Sequence, residues 1–448
     1  SGGNPAAGTR RAQPFPHKAA EWHHRDTKQK PKQTVKWTDL SQQVSFPPGI
    51  VPYAQPAKLV DNNAEYKFHR RQKRAARRAF FNQRTDKYGG DLKGRMTFPI
   101  EVLNRIREKT GDDYPVGLRY SIKSYIKDYR KGILPGEDCE EKGRDLEESL
   151  EAAKILQEAG YDWFDADAGS YDAWYWAHPP MYFKKGVYLE LCRELKKVST
   201  IPLLVCGRMD APDIMVKAFQ EGLLDMVGLG RPLLADPEYT NKLRAGREKD
   251  IRPCLGCQDG CFGRLLRHGI ASCAVNPECG RETYVSIRKA DTAKRVVIVG
   301  GGPAGLEAAR VSALRGHSVT LIEAASKLGG ALCAGSVPDF KVDDRRLIAY
   351  YENQMHEQGV DVRLNTLADK ALIDSLSPEV LLLAEGSTPI VPKLPGIEKA
   401  VLAQDILLGK ADAGNRVVVV GGGVVGCELA LYLAGQGKKV SIVEGLKD

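Results

Sequence analysis

The sequence predicts an α/β protein with parallel sheets, and three observations carry that prediction. Between residues 80 and 250, short apolar segments alternate strictly with amphipathic segments of helical period, as in folds where helices connect parallel strands. Residues 254–273 contain four closely spaced cysteines. Beyond them, a strand followed by a glycine-rich turn and a helix occurs twice, near residues 295 and 416. A chain of 448 residues has room for about three domains.

The alternating region predicts four strands, each associated with a helix. The strands are expected at 116–121, 161–167, 202–206 and 224–229, and the helices at 92–109, 143–159, 189–198 and 212–221. Gly207 and Arg208 follow the third strand, and Gly230 and Arg231 follow the fourth. A TIM barrel binds phosphate with loops of this kind after its last two strands, but a whole barrel takes about 250 residues. The region therefore predicts the C-terminal half of a TIM (β/α)8 barrel with an FMN phosphate site. Helix-capping glycines beside surface arginines are the alternative.

The cysteines are Cys254, Cys257, Cys261 and Cys273, spaced C-x2-C-x3-C-x11-C. Ligation by four thiolates selects zinc or an iron–sulfur cluster. Structural zinc sites usually pair two C-x2-4-C segments, whereas here three cysteines are bunched and one is remote. This spacing favours a [4Fe–4S] cluster, with zinc and a disulfide as alternatives.

The first glycine-rich unit follows the β-branched run 296–299, which is typical of a buried parallel strand. Gly300, Gly302 and Gly305 form G-x-G-x-x-G, which allows a tight turn, a close approach to a pyrophosphate, and packing of helix on strand. Glu323 ends the next predicted strand, where a carboxylate would bind a ribose hydroxyl. The unit predicts a Rossmann-like dinucleotide site.

The second unit repeats the first. Gly421, Gly423 and Gly426 have the same spacing, and Glu444 occupies the place of Glu323. Two such units predict one site for FAD and one for a nicotinamide. Glu444 favours NADH over NADPH, because its carboxylate would repel a 2′-phosphate. Two unrelated glycine turns are the alternative.

The charge is unevenly distributed along the chain. The net charge is +9, yet the first 80 residues hold 16 Lys and Arg against 5 Asp and Glu, and the remainder holds 50 against 52. A nucleic-acid-binding arm is one interpretation of the basic segment, and a disordered or non-native segment is the other. The chain beyond residue 80 is nearly neutral, so we expect no nucleic-acid partner for that part. The sequence contains no run of about eighteen apolar residues, so it predicts no membrane span. A thiolate cluster fits a reducing cytoplasm.

Taken together, these motifs resemble the old-yellow-enzyme-related iron–sulfur flavoenzymes, a family that includes 2,4-dienoyl-CoA reductase, trimethylamine dehydrogenase and the bile-acid-inducible NADH:flavin oxidoreductases. The resemblance covers about 80–448. It is carried by the four cysteines, both glycine motifs and residues 82–90, Arg95, 117–121 and 228–236. Residues 170–182 are most similar to the bile-acid and steroid branch.

The resemblance implies electron transfer from NADH through FAD, [4Fe–4S] and FMN to an activated C=C bond, such as that of an enone or enoyl-CoA. It implies that Arg119 lies near the flavin pyrimidine edge, with an ion-paired structural residue as the alternative. The 2,4-dienoyl-CoA reductases place a catalytic histidine after the sixth barrel strand, where this chain has Ser170, Tyr171 and Asp172 instead. Here that stretch offers Tyr171, Asp172, Tyr175 and His178 as candidate acids or substrate contacts, or as packing residues.

The predicted organisation has five segments. They are a basic segment (1–79), a partial FMN-binding barrel (80–250), a cluster loop and linker (251–290), an FAD-binding domain (291–414) and the start of an NAD(P)-binding unit (415–448). The resemblance also implies that the chain is truncated at both ends. The alternatives for function are an inactive fragment that binds only nucleotide, and a nucleic-acid-binding protein. We expect a small-molecule substrate and no membrane association. A homo-oligomer is also possible.

Overall fold

The computed structural model describes residues 81–445, all of which belong to one compact unit spanning residues 64–448. The basic segment 1–79 lies outside the described residues, and so does the nucleic-acid prediction made on it. Within 81–445, no helix combines the length and the apolar character needed to cross a membrane.

The first region is a four-stranded parallel sheet with helices packed on it. Its elements are α1 (Leu92–Thr110), β1 (Gly117–Ser121), β2 (Ile126–Asp128), β3 (Lys131–Gly132), α2 (Leu146–Glu158), β4 (Trp163–Asp167), α3 (Trp174–Ala177), α4 (Leu189–Lys196), β5 (Leu203–Val205), α5 (Pro212–Gln220), β6 (Met226–Val227), α6 (Arg231–Ala235) and α7 (Tyr239–Arg244). The strand order is β1-β4-β5-β6, so the four predicted strands are adjacent in sequence order and parallel. The sheet is open, with β1 and β6 at its edges.

Local sequence sets the ends of the long helices. The Asp91 side chain accepts a hydrogen bond from the Gly94 amide at the start of α1, and Asp145 does the same for the Glu148 amide at the start of α2. Pro212 occupies the first turn of α5, where its missing N–H costs nothing. The β2–β3 hairpin was not predicted, because its strands have only three and two residues.

Between the sheets lies the cysteine-bearing segment, which has little regular structure. It contains a 3₁₀ turn (Glu248–Asp250), a π-helical turn (Asp259–Gly263) and α8 (Arg264–Leu266). The π-helical turn contains Cys261. Single π turns inside helical segments occur frequently at functional sites.

The second sheet has four parallel strands in the order β10-β7-β8-β9. Its elements are β7 (Arg295–Val299), α9 (Pro303–Leu314), β8 (Ser318–Ile322), α10 (Leu332–Gly335), α11 (Val342–Glu357), β9 (Asp361–Arg363), α12 (Lys370–Leu376) and β10 (Val380–Leu383). Ile298, Leu306 and Leu321 are fully buried at its centre. Helix α9 begins at Pro303, directly after its N-cap Gly302.

The third element group contains α13 (Ala403–Leu407), β11 (Arg416–Val420), α14 (Val424–Gly435) and β12 (Lys439–Val443). The two strands pair in parallel, with Arg416 opposite Lys439 and Val420 opposite Val443. A small core of Val419, Leu429, Ala430 and Leu433 joins this pair to α14.

The first sheet offers a direct test of its core. Phe164, on the central strand β4, is fully buried, so Phe164→Ala should lower the free energy of unfolding by about 3–5 kcal/mol. Phe219, on α5, is 46% exposed, and Phe219→Ala should change it by only about 0.5 kcal/mol. Urea titration followed by circular dichroism measures both. Equal effects of the two substitutions would contradict this assignment of the core.

Candidate cofactor-binding sites

The four predicted ligand cysteines line one small pocket. Cys254 and Cys257 lie in an extended loop in which Gly256 has φ +66°, a conformation that favours glycine. Cys261 lies on the π-helical turn. The remote Cys273 is brought to the same pocket by its neighbour Ser272, whose amide donates to the Gly260 carbonyl at 2.8 Å.

The structure bears directly on one of the three interpretations of the cysteines, the disulfide. All ten cysteines of the chain lie within the described residues, and each is a free thiol, so the disulfide is not formed. Four thiolates around one zinc ion lie about 3.8 Å apart, as follows from a Zn–S bond of about 2.3 Å. Within 81–445, no three Cys, His, Asp or Glu side chains are arranged to hold a single metal ion. Four cysteines around one small pocket are compatible with either group, so zinc stays the alternative to the cluster.

Burial favours the neutral thiol form of two of these cysteines, Cys254 and Cys257. Burial raises the pKa of Cys254 to about 12, and burial also raises the pKa of Cys257. Only a thiolate is a metal ligand, so metal binding must displace these protons.

A larger cavity of about 380 Å³ lies beside the cysteine pocket, and Cys254 and Arg231 line both. Its size is within the range of small-molecule and cofactor sites. The loops after β5 and β6 form much of its wall, as the sequence predicted for Gly207, Arg208, Gly230 and Arg231. Gly207 has φ +86°, and a Cβ there would come within 2.3 Å of the Tyr188 ring.

Two arginines give this cavity a strongly cationic wall. The buried Arg208 donates from Nη2 to Asp343 at 2.8 Å, and Arg231 donates from Nη2 to the Pro179 carbonyl at 2.8 Å. The buried Nε of Arg208 and Nη1 of Arg231 have no hydrogen-bond partner. Buried donors are rarely left unpaired, and a phosphate would supply the acceptors they need.

Arg119, the central residue of β1, also lines the cavity. It makes two ion pairs with the neighbouring strand, to Asp165 at 2.6 Å and to Asp167 at 2.7 Å. Burial raises the pKa of Asp167, although Arg119 opposes the shift. Arg119 is thus both ion-paired and exposed to the cavity, which combines the two interpretations that the sequence left open.

Of the four candidate catalytic residues, His178 lines the cavity and the other three do not. Tyr171 is 86% exposed, and Asp172 accepts a hydrogen bond from the Arg130 amide at 2.5 Å. The Tyr175 hydroxyl lies against Gly132 of the β2–β3 hairpin. The structure therefore does not bring the four residues together.

His178 contacts a residue that sequence reasoning missed. Its ring centroid lies 4.3 Å from that of Phe262, which follows the cluster-loop Cys261 and also lines the cavity. Burial lowers the pKa of His178, and Arg231 and Arg119 lower it further. The position of Phe262 directly after a candidate ligand was the signal that could have identified it.

The first glycine-rich turn has the geometry that its motif requires. Gly300 has φ +106°, and a Cβ on Gly305 would lie 1.9 Å from the Gly300 carbonyl oxygen. Gly302 is the N-cap of α9, so the amides of that helix terminus are oriented for an anion. Glu323 ends the next strand and accepts a hydrogen bond from the Gly301 amide at 2.6 Å.

The second turn reproduces this geometry. Gly421 has φ +106°, and a Cβ on Gly426 would lie 2.0 Å from the Gly421 carbonyl oxygen. Gly423 is the N-cap of α14. Glu444 accepts a hydrogen bond from the Gly422 amide at 2.6 Å, as Glu323 does in the first turn.

Two protein families match the chain, in the order that the sequence predicted. Residues 78–250 match the NADH:flavin oxidoreductase / NADH oxidase family, and residues 294–448 match the pyridine nucleotide-disulphide oxidoreductase family.

Individual relatives are similar over most of the chain. A cinnamate reductase from Clostridium sporogenes is 52% identical over 83% of this chain and 56% of its own length. An NADH oxidase from Thermoanaerobacter brockii is 41% identical over 82% of this chain and 56% of its own. A 2-naphthoyl-CoA reductase complex is similar in structure, with TM-score 0.74, 36% identity, and coverage of 81% of this chain and 54% of its own. The chain thus spans about half the length of the relatives it matches.

These matches join a flavin oxidoreductase region to a pyridine-nucleotide region in one chain, around the four-cysteine segment. The sequence predicted FMN, FAD, a [4Fe–4S] cluster and NADH. These are the cofactors of the family that combines these regions in one chain. The chain belongs to the old-yellow-enzyme-related iron–sulfur flavoenzymes.

Proposed function

We propose that this chain is part of an NADH-dependent reductase of an activated C=C bond. The observation that carries the proposal is the shared wall between the two pockets, where Cys254 and Arg231 face both the cysteine pocket and the larger cavity. Electron transfer between a cluster and a flavin requires such proximity. A nicotinamide supplies electrons in pairs, an iron–sulfur cluster passes them singly, and flavins do both.

We assign the cofactors to the residues described above. FMN phosphate is assigned to Gly207, Arg208, Gly230 and Arg231, the cluster to Cys254, Cys257, Cys261 and Cys273, FAD to Gly300, Gly302, Gly305 and Glu323, and NADH to Gly421, Gly423, Gly426 and Glu444. The unpaired buried donors of Arg208 and Arg231 support the first assignment. The Glu444 carboxylate supports NADH rather than NADPH.

The proposed architecture is the C-terminal half of a TIM barrel followed by Rossmann-like units. The parallel order β1-β4-β5-β6, and the cavity at the ends of these strands, support the barrel assignment. The segment boundaries 80–250, 251–290, 291–414 and 415–448 follow the same division. The proposed location is a reducing cytoplasm, which keeps the cysteines as thiols. A homo-oligomer is compatible with the proposed architecture.

Arg119 and His178 have distinct proposed roles in the cavity. Arg119 is a fixed cation, held by Asp165 and Asp167, that would stabilise negative charge on the flavin. His178 is a substrate contact that stays neutral at pH 7, because its pKa is lowered. Tyr171, Asp172 and Tyr175 line no part of this cavity, so we assign none of them a role in the chemistry here.

The proposed substrate is a conjugated enoate or enoyl thioester that carries a planar group. His178 and Phe262 present aromatic rings to the cavity, and such rings bind flat apolar groups by stacking and by edge contacts. Two relatives are named for cinnamate and 2-naphthoyl-CoA, both of which contain aromatic rings. These names favour an aryl-substituted substrate over the steroid that the 170–182 resemblance implied.

The cluster assignment predicts that reconstitution depends on Cys254. Anaerobic treatment with iron and sulfide should load about four irons per chain and give a broad visible absorbance that dithionite bleaches. Cys254→Ser should lose most of the iron, because serine is a poor ligand for this centre, whereas Cys139→Ser should keep it, since Cys139 is exposed and outside the pocket. Iron analysis measures both. Stoichiometric zinc without iron would rule the cluster out.

The environment of His178 predicts its titration. Because the folded protein favours the neutral ring, His178 should titrate below the ordinary pKa of about 6.5. The stability gained from the neutral ring is present above that ordinary pKa and is lost as the pH falls. Arg231→Gln should raise the pKa of His178 by removing a nearby positive charge, and the remote Arg315→Gln should not. NMR of the imidazole protons measures the titration. If neither variant changed the pKa of His178 from its wild-type value, the proposed environment would be contradicted.

A further inference from the structure

Five charged side chains form a network between the loop after β5 and helix α11. Lys185 Nζ lies 2.7 Å from Asp210 and 2.6 Å from Asp343. Arg208 Nη2 lies 2.8 Å from Asp343, and Arg346 Nη1 bridges Asp343 at 2.9 Å and Asp210 at 3.1 Å. Apart from Arg346, each of these side chains is at least nine-tenths buried. The network therefore joins the cavity wall to the unit that carries the first dinucleotide turn.

The network carries excess positive charge. Lys185, Arg208 and Arg346 face only two carboxylates, Asp210 and Asp343, and Arg231 adds a further cation across the cavity. Burial favours the neutral form of Asp210, but Lys185 and Arg346 outweigh it and lower the pKa of the Asp210 carboxyl. With both carboxylates ionised, the cations outnumber them by two. A phosphate monoester near pH 7 carries a charge of about −1.5 to −2, which matches this excess.

The position of the Arg208 guanidinium is set by two other parts of the chain. Asp343 of α11 binds Nη2, and Gly256 of the cysteine loop lies so close that a Cβ there would be 2.4 Å from Nη1. The Nε atom is buried and has no hydrogen-bond partner among residues 81–445. Arg208 also has φ +53°, and its carbonyl accepts from the Gly186 amide at 3.0 Å. Its side chain is therefore fixed at both ends.

We propose that Asp343 is a positioning residue for the phosphate of FMN, holding Arg208 at the cavity wall with Nε available to the phosphate. The proposal rests on the FMN site proposed above. It follows that the phosphate site is complete only when helix α11 is docked against the loop after β5. FMN and the α11 contact then stabilise one another, since coupling between two binding events is reciprocal.

The test compares FMN with riboflavin, which lacks the phosphate. Both flavins are titrated into the 448-residue chain, and binding is followed by quenching of flavin fluorescence. Asp343→Asn should weaken FMN binding about tenfold, the value of one charge-assisted hydrogen bond, and leave riboflavin binding unchanged. A purely Coulombic role of Asp343 predicts the opposite sign, because removing a negative charge would strengthen phosphate binding.

The neighbouring Asp344 provides a matched control. It is also buried on α11, and its ion pair is with Lys341 at 3.9 Å, away from Arg208. Asp344→Asn should leave the affinity for both flavins unchanged. Unchanged or tighter FMN binding by Asp343→Asn overturns the proposal. An equal loss of both flavins overturns it too, because Asp343 would then act through the fold.

A second measurement needs no substitution. In the wild-type chain, FMN should slow amide hydrogen exchange in 342–357 more than riboflavin does, because only the phosphate reaches Arg208. Equal protection by the two flavins overturns the proposal while leaving the flavin cavity itself in place. If the wild-type chain binds FMN no more tightly than riboflavin, the proposed phosphate site fails, and this inference fails with it.

Discussion

The five-residue charge network that contains Arg208 and Asp343 is the contact on which the arrangement of the two pockets depends, and several of its ion pairs share that role. It connects the loop after β5 with helix α11, and the Arg208 guanidinium lies directly on the backbone of the cysteine loop at Gly256. Loss of one partner of a buried ion pair costs about 3–5 kcal/mol, because it leaves an uncompensated charge. This cost keeps the cavity, the cysteine pocket and the first dinucleotide unit in a fixed relation.

The fixed relation also explains why the cysteine loop needs so little regular structure. Its shape is imposed by neighbours: the Met181 amide donates to the Gly256 carbonyl, Gln258 donates to the His178 carbonyl, and the Ser272 amide donates to the Gly260 carbonyl. A ligand loop held in this way is organised before any metal binds. Such preorganisation reduces the entropy lost on binding.

Regular elements were predictable from the sequence, whereas long-range contacts were not. Strands β1 and β7 lie within one residue of the predicted bounds 116–121 and 296–299, because β-branched and apolar runs between turns define buried strands. The contact between the first and last glycine of each turn was predictable, because those two residues are only five positions apart. Arg208 and Asp343 are 135 residues apart, and no local pattern links them. The sequence could not show which of the candidates lines the cavity. Only the fold shows that His178 lines it and that Tyr171 is exposed to solvent.

The valines of the last sheet have a practical consequence for work with the chain. Val418 and Val420 on β11, and Val424 and Val425 at the start of α14, are each more than half exposed. Contiguous apolar surface of this kind promotes self-association. Hydrophobic association strengthens on warming and with sulfate or phosphate salts, so these side chains favour association of chains under those conditions. Low temperature and weakly salting-out buffers are therefore the conditions under which its flavin and metal chemistry are best studied.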